Sequence, residues 1–116
     1  VAVLTFARRD SGWGSSSLTH GYHAGGTLTA AATKINSIEK HQFSNDANAT
    51  DVGDLGGSWY VFGSNSSTTH GYGFGREAAS STGSNEIHRF AFASDGNSTD
   101  VGDLTVVRMW SAGHQI

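Results

Sequence analysis

The sequence predicts an all-β protein that contains two copies of a four-stranded antiparallel unit. Two sequence repeats carry this prediction. The hexapeptide Thr-Asp-Val-Gly-Asp-Leu stands at residues 50–55 and again at residues 99–104, and Thr-His-Gly-Tyr stands at residues 19–22 and 69–72. The two separations, 49 and 50 residues, are typical of proteins with one supersecondary unit per repeat. No segment has a sustained helical period, and 16 glycines with many Ser, Thr and Asn residues favour short strands joined by turns.

The composition excludes several functional classes. The 116-residue chain has a net charge of −3 and no basic cluster, so a nucleic-acid partner is not expected. It has no cysteine, which excludes disulfides, thiolate metal sites and cysteine nucleophiles. No apolar run is long enough to cross a bilayer, and residues 1–10 lack the apolar core of a signal peptide. Because the chain does not begin with Met, we expect a processed end or an excised piece.

The repeats divide the chain into three parts. Residues 1–8 match residues 101–108, so we assign residues 1–15 to the end of a preceding unit. Residues 16–65 form the first unit, and residues 66–116 form the second unit with the start of a further one. The first predicted strand, residues 16–26, contains His-Gly-Tyr and ends at two glycines, and residues 27–33 are a connection with partial strand character.

The next predicted strand alternates in side-chain character. It covers residues 35–43 and, in the second copy, residues 85–92. There His88 and Phe90 point to one face, while Ile87 and Arg89 point to the other. Ile38 and Lys40 occupy the same positions as this second pair, so we expect a solvated face that carries basic side chains in both copies.

Polar turns separate the remaining strands. Residues 44–50 and 94–98 are rich in Asn and Asp, which tolerate left-handed backbone angles, so each predicts a hairpin. Strands follow at residues 52–55 and 58–62 and, in the second copy, at residues 101–104 and 106–110. Each period therefore contains about four strands.

This order of features resembles a kelch repeat, the blade of a β-propeller. A Tyr-containing strand runs into glycines, a strand with Ile and Phe follows, and a polar turn leads to a strand that ends in Arg8 or Arg108. The sequence departs from the kelch pattern because Trp is missing after the second strand. The resemblance implies four-stranded, propeller-like blades. The units also resemble tandem repeats of phage and bacterial surface proteins, which implies an extracellular or virion-surface location.

Blades of this kind need neighbours that cover both sheet faces. Either the chain is a piece of a longer repeat array, or copies associate into a ring or a fibre. We favour self-association, which predicts a non-enzymatic structural module and a homo-oligomer. The alternative is a glycan-binding adhesin or phage tail module that uses Ca²⁺.

Catalysis is not expected. No Ser, His and Asp stand in a usable order, and Glu39, Glu77 and Glu86 do not recur between the copies. The galactose-oxidase activity known on kelch propellers needs a Cys-Tyr cofactor, which this chain cannot form without cysteine.

The acidic turns are the candidate cofactor site, and calcium is the candidate ion. Alternating oxygen side chains followed by a carboxylate suit Ca²⁺, and the spacing resembles the calcium loops of integrin-type FG-GAP repeats. Thr50 and Thr99 depart from that pattern because a carboxylate is usual there. We favour structural turns over a metal site. The candidate ligands are Asp46, Asn48, Thr50, Asp54, Asp95, Asn97, Thr99 and Asp103.

Three further sets of residues are candidates for function. Sequons at Asn48, Asn65 and Asn97 lie in predicted turns and would accept glycans in a glycosylating host. His20 and His70 occupy matching strand positions, where we favour packing and hydrogen bonding over metal binding. Aromatic residues predicted to be exposed lie where units meet; they either stack on sugars or join blades or subunits, and we favour the second role. These aromatics are Trp13, Trp59, Tyr60 and Trp110.

Overall fold

A computed structural model describes residues 2–9, 13–29, 33–77 and 83–108. The protein is all-β, as predicted, and the described residues contain no helix. Accordingly, no helix long and apolar enough to cross a membrane occurs in this part of the chain. The strands are β1 (Arg8–Arg9), β2 (Trp13–Ser16), β3 (His20–Ala24), β4 (Thr27–Leu28), β5 (Ser37–Gln42), β6 (Thr50–Asp54), β7 (Tyr60–Ser66), β8 (His70–Glu77), β9 (Ser84–Ala91) and β10 (Thr99–Arg108).

The strands form two four-stranded antiparallel sheets. The first sheet has the order β2-β3-β5-β6, and the second has the order β7-β8-β9-β10. The short strands β1 and β4 pair separately, which confirms the partial strand predicted within residues 27–33. Four strands per repeat are therefore confirmed. The described strands form two sheets that do not close a ring, and the number of blades stays a prediction.

The sheets begin one strand earlier than the repeats suggested. The predicted boundary between residues 65 and 66 falls inside β7, which pairs with β8 and belongs to the second sheet. Likewise, β2 pairs with β3 in the first sheet, although it lies in the segment assigned to a preceding unit. The repeat boundaries and the sheet boundaries differ because hydrophobic alternation identifies a strand but does not say which neighbour the strand pairs with.

The repeated Thr-His pair belongs to a hairpin turn. The Ser17 hydroxyl accepts hydrogen bonds from the backbone N–H of Thr19 (3.3 Å) and of His20 (3.0 Å). The Thr19 hydroxyl also lies 2.8 Å from Nδ1 of His20. Ser67, Thr69 and His70 repeat the same contacts. The preferred hydrogen-bonding role of these histidines is thus confirmed.

The repeated hexapeptide fixes a β-bulge. Glu39 pairs with Asp51 and Ile38 pairs with Gly53, so Val52 is an extra residue in β6. The carboxylate of Asp51 accepts the N–H of Gly53 at 3.3 Å across the bulge. In β10 the corresponding Asp and Gly repeat both the register shift and the hydrogen bond, at 3.1 Å. Such a bulge bends the strand that carries it and increases its local twist.

The core lies between the two sheets. Trp13 is 1 % exposed, and its ring lies 5.5 Å from that of Phe90 in the second sheet. Ile38 is 0 % exposed, so the face that it shares with Lys40 is covered by the second sheet. The prediction that this face is solvated was therefore wrong for the first copy, because the second sheet packs onto it. The buried apolar cluster comprises Trp13, Tyr22, Ala24, Ile38, Leu55, Trp59 and Phe90.

Candidate functional site: the contacts between repeat units

A hydrogen-bonded latch joins consecutive units and occurs twice. In the second sheet, Oδ1 of Asn97 accepts the N–H of Asp54 at 2.9 Å, and the N–H of Ser98 donates to the Asp54 carbonyl at 2.9 Å. In the first sheet, Oδ1 of Asn48 accepts a hydrogen bond from the N–H of Val3 at 3.2 Å, and the N–H of Ala49 donates to the Val3 carbonyl at 2.9 Å. Residues 2–9 therefore occupy the place that a preceding unit would occupy.

A buried ion pair also joins residues 2–9 to the first sheet. Arg8 and Glu39 form a salt bridge with side chains that are 1 % and 0 % exposed. The Glu39 carboxylate also accepts two hydrogen bonds from Thr5, one from its backbone N–H at 3.0 Å and one from its hydroxyl. The Arg8 guanidinium donates further to the Gly25 carbonyl (2.9 Å) and to the Ser37 hydroxyl (3.1 Å). A buried carboxylate needs such a set of donors, since an unpaired buried charge is costly.

The second interface has an aromatic pair at the same place. Trp59 corresponds to Arg8, and His88 corresponds to Glu39. The Trp59 and His88 rings meet edge to face with centroids 4.6 Å apart, and the Arg76 guanidinium lies 4.2 Å from the centre of the Trp59 ring. Burial raises the pKa of Glu86, but hydrogen bonds from His88 and Arg76 outweigh it, and the net pKa is lowered. The two interfaces thus share a backbone arrangement but use different side-chain chemistry.

Two further contacts hold the sheets together. Nζ of Lys40 lies 2.8 and 2.7 Å from the two carboxylate oxygens of Asp95. The Tyr22 ring stacks on Phe92 with centroids 4.7 Å apart. Burial raises the pKa of the Tyr22 hydroxyl, against the opposing charge of Lys40. Both contacts join a strand of the first sheet to the turn that follows β9 in the second sheet, and they therefore depend on how the sheets are stacked.

The outer faces of the two sheets carry the counterparts of these contacts. We define the C-terminal flank as Tyr72, Ile87, Arg89, Asp103 and Arg108 on the second sheet. These residues correspond to Tyr22, Ile38, Lys40, Asp54 and Arg8, all of which make contacts between units. Arg89, Asp103 and Arg108 are exposed, and Tyr72 and Ile87 are half-buried. The C-terminal flank is therefore a second copy of a surface that the first sheet buries.

The opposite side of the molecule carries the matching acceptor residues. We define the N-terminal flank as Glu39, Phe43, Asp46 and Asn48 on the first sheet. They correspond to His88, Phe92, Asp95 and Asn97. Residues 2–9 already bind Glu39 and Asn48. In contrast, Phe43 is 55 % exposed and Asp46 is exposed.

A polar groove opens beside the N-terminal flank. Its volume is about 450 Å³, and it runs along β2 and the serine-rich end of β7. His23 and His41 line it with stacked rings whose centroids are 5.6 Å apart, and Phe43 lies at the same opening. Burial lowers the pKa of His23, and the neighbouring His41 and Arg8 lower it further.

Three of the predicted calcium ligands are engaged in other contacts. Asn48 and Asn97 accept the latch hydrogen bonds, and Asp95 is paired with Lys40. The described residues contain no group of three or more His, Asp or Glu side chains that could hold a metal ion. Asp46, Thr50, Thr99 and Asp103 are exposed and lie along the same turns and strands. Calcium binding stays a prediction, while the turns have a visible structural role.

The predicted aromatic and glycosylation sites differ in their surroundings. Trp13 and Trp59 are 1 % and 8 % exposed, so the prediction that they are exposed was wrong. They pack where the sheets meet, and Tyr60 lies under the Lys34 ammonium group at 4.3 Å. Trp110 lies outside the described residues. Asn65 lies in β7 and not in a turn, whereas Asn48 and Asn97 precede β6 and β10; glycosylation stays a prediction.

Sequence reasoning missed the Arg8–Glu39 and Trp59–His88 pairs. The sequence did contain one signal: where Arg8 is replaced by Trp59, Glu39 is replaced by His88. Only the arrangement of the strands shows that the two members of each pair are in contact. No protein-family model matches the sequence, and the comparison with curated proteins gives no significant match. The functional proposal therefore depends on the interfaces themselves.

Proposed function

We propose that the protein is a non-enzymatic assembly module whose copies stack head to tail, C-terminal flank on N-terminal flank, into a ring or a fibre. One observation carries the proposal: the C-terminal flank repeats a surface that is buried elsewhere in the same chain. Tyr22 and Ile38 are 3 % and 0 % exposed under the second sheet, whereas their counterparts Tyr72 and Ile87 are only half-buried. A partly uncovered copy of an interface is a typical protein-binding surface.

Charge complementarity supports a second copy as the partner. The contact between Lys40 and Asp95 would recur between copies as Arg89 with Asp46, since these residues hold the same positions. The stacking of Tyr22 on Phe92 would recur as Tyr72 on Phe43. Because the two flanks differ, the contact is heterologous, and it closes a ring or continues as a filament according to the rotation between copies. The extracellular or virion-surface setting belongs to this proposal and depends on the sequence resemblance.

The test measures the mass of the full chain in solution by light scattering and sedimentation over a range of concentrations, with electron microscopy for shape. We expect oligomers, weakened by Arg89→Glu and by Asp46→Arg. Combining both substitutions in one chain restores the attraction and should restore assembly, which controls for loss of folding. A folded monomer at every concentration would refute the proposal.

A second candidate function is glycan binding in the groove beside Phe43. The groove combines an exposed aromatic ring with the hydroxyls of serines and two histidines, a pattern suited to sugars. A glycan array with and without a calcium chelator tests it. Binding that Phe43→Ala abolishes, in a chain that remains monomeric, would favour this function over assembly.

A further inference from the structure

We infer that residues 104–108 of one copy replace residues 4–8 in the next copy, so that Arg108 takes over the buried ion pair with Glu39. The inference rests on the proposed function and specifies how copies recognise each other. It makes the assembly an exchange of equivalent segments rather than the simple docking of two finished surfaces.

The two terminal segments carry the same recognition residues. Leu104, Thr105 and Arg108 are identical to Leu4, Thr5 and Arg8 in the corresponding positions. Of these, Thr5 and Arg8 supply the hydrogen bonds and the charge that Glu39 receives. The segment between the two sheets differs, since Gly56 and Trp59 stand where the outer segments have Thr and Arg.

The sheet that each segment contacts differs in a matching way. The first sheet presents Glu39, which matches Thr and Arg, and the second sheet presents His88, which matches Trp59. Arg108 is therefore complementary to a first sheet and not to a second one. Within a single copy the first sheet is already occupied by Arg8, whereas Arg108 is exposed.

Stacking two copies in the geometry of the internal interface brings the equivalent segments into competition. Asp103 would meet Asn48, where Val3 lies, and Arg108 would meet Glu39, where Arg8 lies. Two segments cannot occupy one site, so residues 2–9 of the receiving copy must leave as the incoming β10 segment enters. The same types of contact are lost and regained, which is the condition under which exchange between identical chains has a low cost.

Charge reversal at both ends tests this directly in full-length chains. The first variant carries Arg108→Glu. The second carries Arg8→Glu with Glu39→Arg, which keeps an ion pair inside the chain. Each variant alone would bring two like charges together at the exchanged site and should stay monomeric in sedimentation experiments. An equimolar mixture pairs opposite charges at every contact and should assemble as the unmodified chain does.

A milder pair of variants keeps the test decisive if the reversed ion pair prevents folding, which circular dichroism would reveal. Arg108→Ala and Val107→Glu change the net charge equally at neighbouring positions. Val107 is 61 % exposed, and its counterparts Ala7 and Ser58 are exposed at both existing interfaces. We expect Arg108→Ala to weaken association at least about tenfold and Val107→Glu to leave it nearly unchanged.

The outcomes separate this inference from the proposed function. Assembly of the unmodified chain that is indifferent to Arg108→Ala, or a charge-reversed mixture that assembles no better than its components, overturns the exchange. Stacking through Arg89 with Asp46 and Tyr72 with Phe43 would then remain as the proposed contact. An unmodified chain that never assembles overturns both.

Discussion

Replacing Gly73 with alanine tests the packing of the two sheets. A Cβ atom built on Gly73 lies 2.3 Å from Cε3 of Trp13, against about 3.5–4.0 Å for an ordinary carbon–carbon contact. The indole must therefore retreat by more than about 1 Å. It has little room to do so because it is 1 % exposed and packs on Phe90. Overpacking of this kind costs about 1–3 kcal/mol, and we expect Gly73→Ala to lie near the upper end.

Gly14→Ala is the matched control. Gly14 lies in β2 beside Trp13, and a Cβ built there has no atom within 4 Å. Both substitutions reduce the freedom of the unfolded chain equally, by about 0.4–1 kcal/mol in favour of folding. Urea unfolding followed by tryptophan fluorescence measures the difference. Equal midpoints and slopes for the two variants would show that Trp13 does not press against Gly73.

Three further predictions concern the interfaces. Glu39→Gln should lower the free energy of unfolding by about 3–5 kcal/mol, because it leaves a buried cation without its partner. Lys40→Met, which breaks a more exposed ion pair, should lower it by at most about 1 kcal/mol. Equal effects of the two substitutions in denaturant titrations would contradict this. Trp59→Arg combined with His88→Glu should be more stable than the sum of the single changes, with a coupling of about 1–3 kcal/mol in a double-mutant cycle, because it copies the first interface; additivity would refute the equivalence. Stability should fall as the pH decreases below 6.5, since burial lowers the pKa of His23 and the unfolded chain binds the proton first; His23→Asn should flatten thermal stability in this range, and an unchanged slope would count against it.

Local sequence was enough to predict several features of the fold. Alternation and turn residues gave the all-β class and four strands per repeat, since strand character and turn chemistry depend on a few neighbouring residues. The repeated Thr-His pair and the repeated hexapeptide were visible as identical letters. Their roles, a hairpin turn and a β-bulge, use hydrogen bonds between residues two or three positions apart. The hydrogen bonds that Asn48 and Asn97 of the acidic turns accept are not of this local kind, because they come from residues 45 and 43 positions away.

The site depended on contacts between residues far apart in the chain. Trp13 was predicted to be exposed, yet it packs under a strand 60 residues later because Gly73 leaves space for its ring. Glu39 showed no repeat of its own and was passed over, although it holds the most buried ion pair described. What the sequence determined by itself was the unit and its period. Which strand begins each sheet, and which faces are covered, was decided only by tertiary structure, because non-local pairing depends on the shape and charge of partners that local patterns do not specify.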